Sequence, residues 1–336
     1  MSDRREPELT LADMTESAIL ARIFPRLPES SATLVGPGDD CAVMTAPDGR
    51  FVITTDMMIQ GPDFRLEWSS GHDLGVKAAA TNLADVAAMG ARPTGMVVSI
   101  AAPPTTSVSF MEAIADGLRD ACLALAPGCG VVGGDLSAST VLTFSITAFG
   151  DLEGRKPLLR SGAQVGDVIA VVGRLGLAGM GLAALFADQR ATARASALQA
   201  QLAPMPPISQ GVAGALAGAH AAMDISDSLV MDAGRIARAS NVVMRLDEHV
   251  IDELAGQLAI ELGVDAARAR QAILFAGEDH ALLMTFPAGV QLPDGFVALG
   301  VVEACAEEAK PHVNLGGASI SENGWNPYTS WNGETS

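Results

Sequence analysis

Short apolar runs and amphipathic stretches alternate through both halves of this chain, but not in the regular strand–helix rhythm of a doubly wound sheet. That order predicts an α+β fold: two domains, each a mixed β-sheet with helices packed on one face. A length of 336 residues is enough for about two domains. Polar loops and a proline between 150 and 166 set the expected boundary, giving residues 1–150 and 151–336. Helical spacing appears over 15–27 (with Pro25 as an early stop), 72–89, 107–125, 176–187, 208–219, 228–240 and 251–274. Strand-like runs occupy 42–44, 51–59, 95–101, 131–132, 141–149, 167–172, 242–246, 280–286, 296–302 and 312–315. Residues 33–40 read as a turn and 188–207 as a linking segment. Aromatic residues are only 4%, so Ala, Val, Leu, Ile and Met must build the cores.

Charge narrows the function. Lys and Arg number 21 against 39 Asp and Glu, a net charge of −18. A binder of nucleic acid or anionic membrane needs a basic face, so neither partner is expected. No run of about 18 apolar residues is present, and the N-terminus is polar, without a signal-peptide core. The four cysteines (Cys41, Cys122, Cys129, Cys305) form no CxxC pair and no disulfide framework, which points to a reducing, cytoplasmic compartment.

The common catalytic signatures are missing. There is no GxxxxGK[ST], HExxH or GxSxG. A GxGxxG at 128–133 follows a helix and enters a strand, the reverse of a dinucleotide fingerprint, and reads as a helix-ending turn. His280 reads as a surface or satisfied strand residue.

Aspartates beside glycines and at the ends of apolar runs do stand out. Asp39 and Asp40 lie in GPGDDCAV, Asp56 ends FVITTD, Asp135 follows VVGG, and Asp224 and Asp227 lie in MDISDSL. Many Asp residues in such places are simply turn or cap residues. Asp85 is different: it sits mid-helix between Leu83 and Val86 and needs a partner. Two carboxylates about 5 Å apart repel by roughly 3 kcal/mol at an effective dielectric near 20. Carboxylates gathered at buried strand ends would therefore take up a hard divalent cation, and Mg²⁺ suits all-oxygen ligands shared with phosphates.

Seven segments standing in order carry a family resemblance: GPGDDCAV (36–43), TTD (54–56), KAAATNLADVAAMGARP (77–93), VVGGD (131–135), LLRSGAQVGD (158–167), MDISDSL (223–229) and AGEDHALLMTF (276–286). The chain resembles thiamine-monophosphate kinases, within the superfamily of aminoimidazole ribonucleotide synthetase, selenophosphate synthetase and the hydrogenase maturation dehydratase. The resemblance implies ATP-dependent phosphorylation of thiamine monophosphate, in a homodimer paired through the N-terminal domain sheets. It implies ATP held between the two domains through several Mg²⁺ ions. It places metal ligands at Asp40, Thr54, Thr55, Asp56, Asp85, Asp135, Asp224 and Asp227. It puts nucleotide contacts at Gly134, Asp135, Arg160 and Ser226, and thiamine phosphate contacts at Asp63, Glu278 and Trp325. Phosphoryl transfer falls to Asp56, Asp135, Arg160 and Asp227.

The chain departs from the family pattern at Leu136, Ser228, Ala276, His280, Asn326 and Pro327, and none of these removes a metal carboxylate. Selenophosphate synthesis would want a reactive cysteine before Cys41, and the dehydratase one after Cys305; the chain has neither. An aminoimidazole ribonucleotide synthetase and a non-catalytic nucleotide-binding homologue stay open as alternatives.

Overall fold

The computed structural model describes residues 9–36, 42–306 and 309–322. The N-terminal half runs α1 (Glu16–Ile23), β1 (Thr33–Val35), β2 (Val43–Met44), β3 (Val52–Ile59), α2 (Gly71–Ala88), β4 (Arg92–Ala102), α3 (Val108–Leu125), β5 (Gly130–Ala138) and β6 (Thr143–Asp151). The C-terminal half runs β7 (Val168–Val172), α4 (Leu177–Phe186), α5 (Ala195–Leu202), α6 (Ser209–Leu216), β8 (Ala221–Ile225), α7 (Leu229–Ser240), β9 (Val242–Leu246), α8 (Glu248–Leu262), α9 (Ala266–Phe275), β10 (Ala281–Phe286), β11 (Val297–Ala304), β12 (His312–Leu315) and β13 (Ala318–Ser319).

The first half centres on a four-stranded sheet, β3-β6-β4-β5, in which only β4 and β5 are parallel. The second builds a seven-stranded sheet, β13-β12-β9-β11-β7-β10-β8, in which only β12 and β9 are parallel. Both sheets are thus mixed, as the α+β reading requires.

The larger sheet is buried on two faces. Ala170, Val172, Leu282, Met284 and Phe286 join a core shared with the N-terminal half, whereas Ile169, Val171, Ala281 and Leu283 face a second core with α7, α8 and α9. Alternate residues of one strand therefore serve opposite cores, which explains the unbroken apolar runs VIAVV and ALLMTF.

Helix α2 joins the two halves. Ser70 and Asp73 cap it reciprocally, and Gly90, at φ +71°, lies just past its end. It packs on α3, on β3 and β6 of the small sheet, and on β8 and β10 of the large one. A helix packed on so many sides must be apolar nearly all round, and α2 is. Its contact with α3 depends on two glycines: a Cβ at Gly75 would lie 2.1 Å from the Ile114 carbonyl oxygen, and one at Gly117 2.2 Å from that of His72.

Four local expectations change. Residues 33–35 form β1, paired antiparallel with β2, where a turn was expected. The helix from residue 15 stops at Ile23, and Pro25 sits in a following 3₁₀ turn. The single helix expected over 251–274 is two, because Gly263 turns left-handed at φ +69° and Asp265 caps a new helix through the N–H groups of Ala267 and Arg268. The linking segment contains α5.

Candidate active site

The site forms where α2 passes between the sheets. Alternation along β3 sends Thr54, Asp56 and Met58 to the face covered by α2, and Thr54 Oγ1 donates 2.8 Å to Asp85 Oδ2 on that helix. Across α2, β8 presents Asp224, and the loop after it carries Ser226 and Asp227.

These carboxylates feel one another. Burial raises the Asp56 carboxyl, and Asp224 and Asp227 raise it further, while His280 works against them. Asp85 is pushed up to about 7, first by burial and then by Asp224 and Asp56; the Thr54 hydroxyl and His280 offset part of the effect. Charge crowded this way, on oxygen ligands alone, fits a hard divalent cation. Among the described residues, no three carboxylate, imidazole or thiol groups close a cage on one ion. A cation here would complete its shell with phosphate oxygens and water, as Mg²⁺ does.

The second pole lies at Lys77, two turns back along α2 and about 12 Å from Asp85 by helical rise. This buried ammonium sits 2.9 Å from Glu278 Oε1 and donates 3.2 Å to the Gln201 carbonyl. Gln201 Nε2 donates to Glu278 Oε2. Burial alone would raise Glu278, but Lys77 and Gln201 outweigh it and hold the carboxyl below its usual range. Asp63 lies near this pair, and its Oδ2 accepts 2.7 Å from the Ile59 N–H. Burial, with Glu278, raises the Asp63 carboxyl despite that bond and Lys77.

Backbone strain aims the segment between the poles. Glu278 (φ +65°) and His280 (φ +47°) are left-handed without being glycine. Their N–H groups are tied to the Ser226 and Ile225 carbonyls at 2.8 and 2.9 Å. Between them, Asp279 accepts 2.6 Å from Gly176 N–H and 3.1 Å from Ala178 N–H at the start of α4, and burial lifts its carboxyl to about 7. His280 corrects the sequence reading. It is 5% exposed, and its Nδ1 lies 3.4 Å from Asp224 Oδ2. Burial opposes its protonation, but Asp224 and Glu278 together raise its pKa.

Other expected site residues lie elsewhere. Thr55 points to the opposite face of β3, where its hydroxyl donates 2.9 Å to the Ile146 carbonyl. Gly134 and Asp135 are on β5, at the far edge of the four-stranded sheet; Asp135 Oδ2 accepts 2.9 Å from Ser137 Oγ. Three strand spacings put β5 about 14 Å from β3. Arg160 is exposed in a 3₁₀ turn that packs on the His220 end of β8, away from Asp224. Asp40 and Trp325 lie outside the described residues, as do Asn326 and Pro327.

The sequence reading gave no role to Lys77, Gln201, Asp232 or Arg235. Lys77 had a signal, as one of only three lysines and set in an apolar helix. Asp232 and Arg235 had one too, three apart on α7, whereas the contacts of Gln201 are long-range and no local spacing encodes them.

Residues 38–152 match the family "AIR synthase related protein, N-terminal domain" and residues 164–310 its C-terminal counterpart. A curated thiamine-monophosphate kinase of Mycobacterium tuberculosis is 40% identical over 303 residues, covering 87% of this chain and 86% of the relative. One of Corynebacterium glutamicum is 36% identical, covering 87% and 88%. Among solved structures, the thiamine-monophosphate kinase of Stenotrophomonas maltophilia superimposes with a TM-score of 0.73 at 29% identity, covering 94% of this chain and 100% of that one. The structure of AaThiL complexed with AMPPCP and TMP gives 0.72 at 26% identity, covering 89% of each.

Proposed function

The chain belongs to the thiamine-monophosphate kinase family, and we propose that it transfers the γ-phosphoryl group of ATP to the phosphate of thiamine monophosphate, yielding thiamine diphosphate and ADP. The observation that carries this reading is the pair of charged clusters along α2, with Asp56, Asp85, Asp224 and Asp227 in one and Lys77, Glu278 and Asp63 in the other.

The acceptor oxygen belongs to a phosphate already ionised at neutral pH, so no side chain need remove a proton. What remains is to hold two anions in line and offset their repulsion. Bound Mg²⁺ supplies the positive charge that Asp56, Asp85, Asp224 and Asp227 would anchor, with Asp40 beside them in the family pattern. Thr54 holds Asp85 in place, and His280 does the same for Asp224. Ser226, Gly134 and Arg160 would meet the nucleotide. At the substrate pole, Lys77 and Glu278 cancel in charge, so Asp63 provides the net negative charge for the cationic ring, and Trp325 a stacking surface.

A homodimer is part of the same proposal. The sheet face away from α2 exposes Ile53 and Met57 at 56% and 59%, apolar surface that a second sheet would cover. Asp135 pairs across the sheet with Ser99, Ser145 and Met57 in turn. It thus reaches an Asp56 only if a second copy supplies it. Residues 1–150 would then form the nucleotide and dimerisation domain, and 151–336 the domain that closes on both substrates. Among the described residues no helix is long and apolar enough to cross a membrane. A cytoplasmic location, where ATP is at hand and thiols stay reduced, completes the proposal.

The test is direct. Purified protein with Mg-ATP and thiamine monophosphate should form thiamine diphosphate, and Asp56→Asn should not. Absence of product from the wild type sinks the assignment.

A further inference from the structure

The site contains a cation of its own. Arg235, on α7, places Nη1 2.6 Å from Asp227 Oδ2, and the same nitrogen donates to Asp232 Oδ1. Asp232 is fully buried, and its Oδ2 accepts the N–H groups of Asp227 and Ser228 at 3.0 and 3.2 Å. The result is a closed ring: the Asp227 backbone is pinned to Asp232, Asp232 holds the guanidinium, and the guanidinium holds the Asp227 carboxylate. The two carboxylates are not equivalent. Asp232 is tied on both oxygens inside the protein and cannot swing. Asp227 and Arg235 are partly open to solvent, with side chains 23% and 31% exposed.

We propose that Arg235 is a resident counter-ion. It neutralises Asp227 in the ligand-free protein, gives that carboxylate up when a divalent cation and nucleotide bind, and turns to the nucleotide phosphates while still anchored on Asp232. The inference rests on the kinase reading only in that the ligand is a metal–nucleotide. Guanidinium suits both positions, since its fork bonds carboxylate and phosphate oxygens alike. Asp227 contributes to the repulsion on Asp56, so releasing it to a divalent ion relieves the whole cluster.

The proposal demands effects of opposite sign. A unit positive charge about 6 Å from a divalent ion changes its affinity on the order of tenfold even at the dielectric of water. Removing Arg235 should therefore tighten binding of the bare ion and weaken binding of the nucleotide. The experiment titrates the full chain with Mn²⁺ by electron paramagnetic resonance, without nucleotide, and then measures AMPPCP affinity at saturating Mn²⁺ by calorimetry. Arg235→Gln should bind its first Mn²⁺ roughly tenfold more tightly and AMPPCP roughly tenfold more weakly. Arg235→Lys, which keeps the charge, should stay within about threefold of wild type in the first measurement. A merely structural role would weaken both. Weakening of both, an unchanged Mn²⁺ affinity, or tightening without loss of AMPPCP binding overturns the proposal. Neither readout involves thiamine monophosphate or turnover, so this failure is distinguishable from failure of the kinase assignment.

Discussion

Asp85→Asn should make the protein more stable while abolishing its activity. The Asp85 carboxyl is moved from an ordinary value of 3.8 to about 7, chiefly by burial and then by Asp224 and Asp56. One pKa unit corresponds to about 1.4 kcal/mol, so ionising Asp85 in the folded, metal-free protein costs up to about 4 kcal/mol above pH 7. Part of that belongs to its neighbours, and about 2 kcal/mol is the expected gain from removing one charge. The sign follows from proton counting. Between pH 3.8 and about 7 the folded state holds a proton on Asp85 that the unfolded chain has lost. Wild-type stability therefore falls through that window, and the full cost is present above it. Asparagine has the same shape and can still accept the Thr54 hydroxyl, so packing is preserved. Urea unfolding of both metal-free proteins at pH 8 and pH 5 checks the argument. The advantage of the variant should be about 2 kcal/mol at pH 8 and less than half that at pH 5. A variant less stable than wild type at pH 8, or a gain independent of pH, refutes the electrostatic account.

Metal binding should release protons below pH 7, because Asp85, pushed up to about 7, must ionise to accept it. Calorimetric titration at pH 6.5 in two buffers of different ionisation heat should give different apparent enthalpies; equal enthalpies would count against it. Lys77→Met leaves the half-buried Glu278 unpaired and should cost about 2 kcal/mol in urea unfolding, most of it regained in the Lys77→Met, Glu278→Met double variant. Gly117→Ala puts a methyl 2.2 Å from the His72 carbonyl oxygen and should cost about 1–3 kcal/mol by forcing α2 from α3. Gly256→Ala, in α8 with nothing within 4 Å of the new Cβ, should instead stabilise by about 0.5–1 kcal/mol.

What the sequence revealed, and what it concealed, divides along physical lines. Asp56 and Asp85 were legible because each breaks a local pattern: one ends a run too apolar for an ordinary exposed turn, the other puts a charge on the buried side of a helix. Such a residue announces that it needs a partner, and Thr54 and the neighbouring carboxylates are where those partners lie. Strands β7, β9 and β10 of the large sheet were legible because burial on both faces leaves no polar alternation, whereas β8, equally buried but carrying Asp224 at its end, was missed. The Lys77–Glu278 pair could not be read, since its members are brought together only by the packing of α2 against the C-terminal half. His280 misled for the same reason. Ahead of β10 it looks like any strand-edge residue, and only a left-handed backbone, held by the Ile225 carbonyl, turns it into the carboxylate cluster.

That division bears on how the site works. Asp56 and Asp85, the residues legible alone, are carboxylates whose charge is unfavourable where they stand, and three basic side chains (Lys77, His280, Arg235) lie against neighbouring carboxylates. Each of these side chains sits on a carboxylate that the kinase reading assigns to ligand: Glu278, Asp224 and Asp227. The compensation is incomplete, as the raised Asp56 and Asp85 show. On the proposed reading, that residual repulsion is free energy that a bound cation would recover, so affinity for a metal–nucleotide would be built into the crowding of the carboxylates. An enzyme that neutralised Asp56 and Asp85 as fully as Glu278 would be more stable and would bind its metal less well.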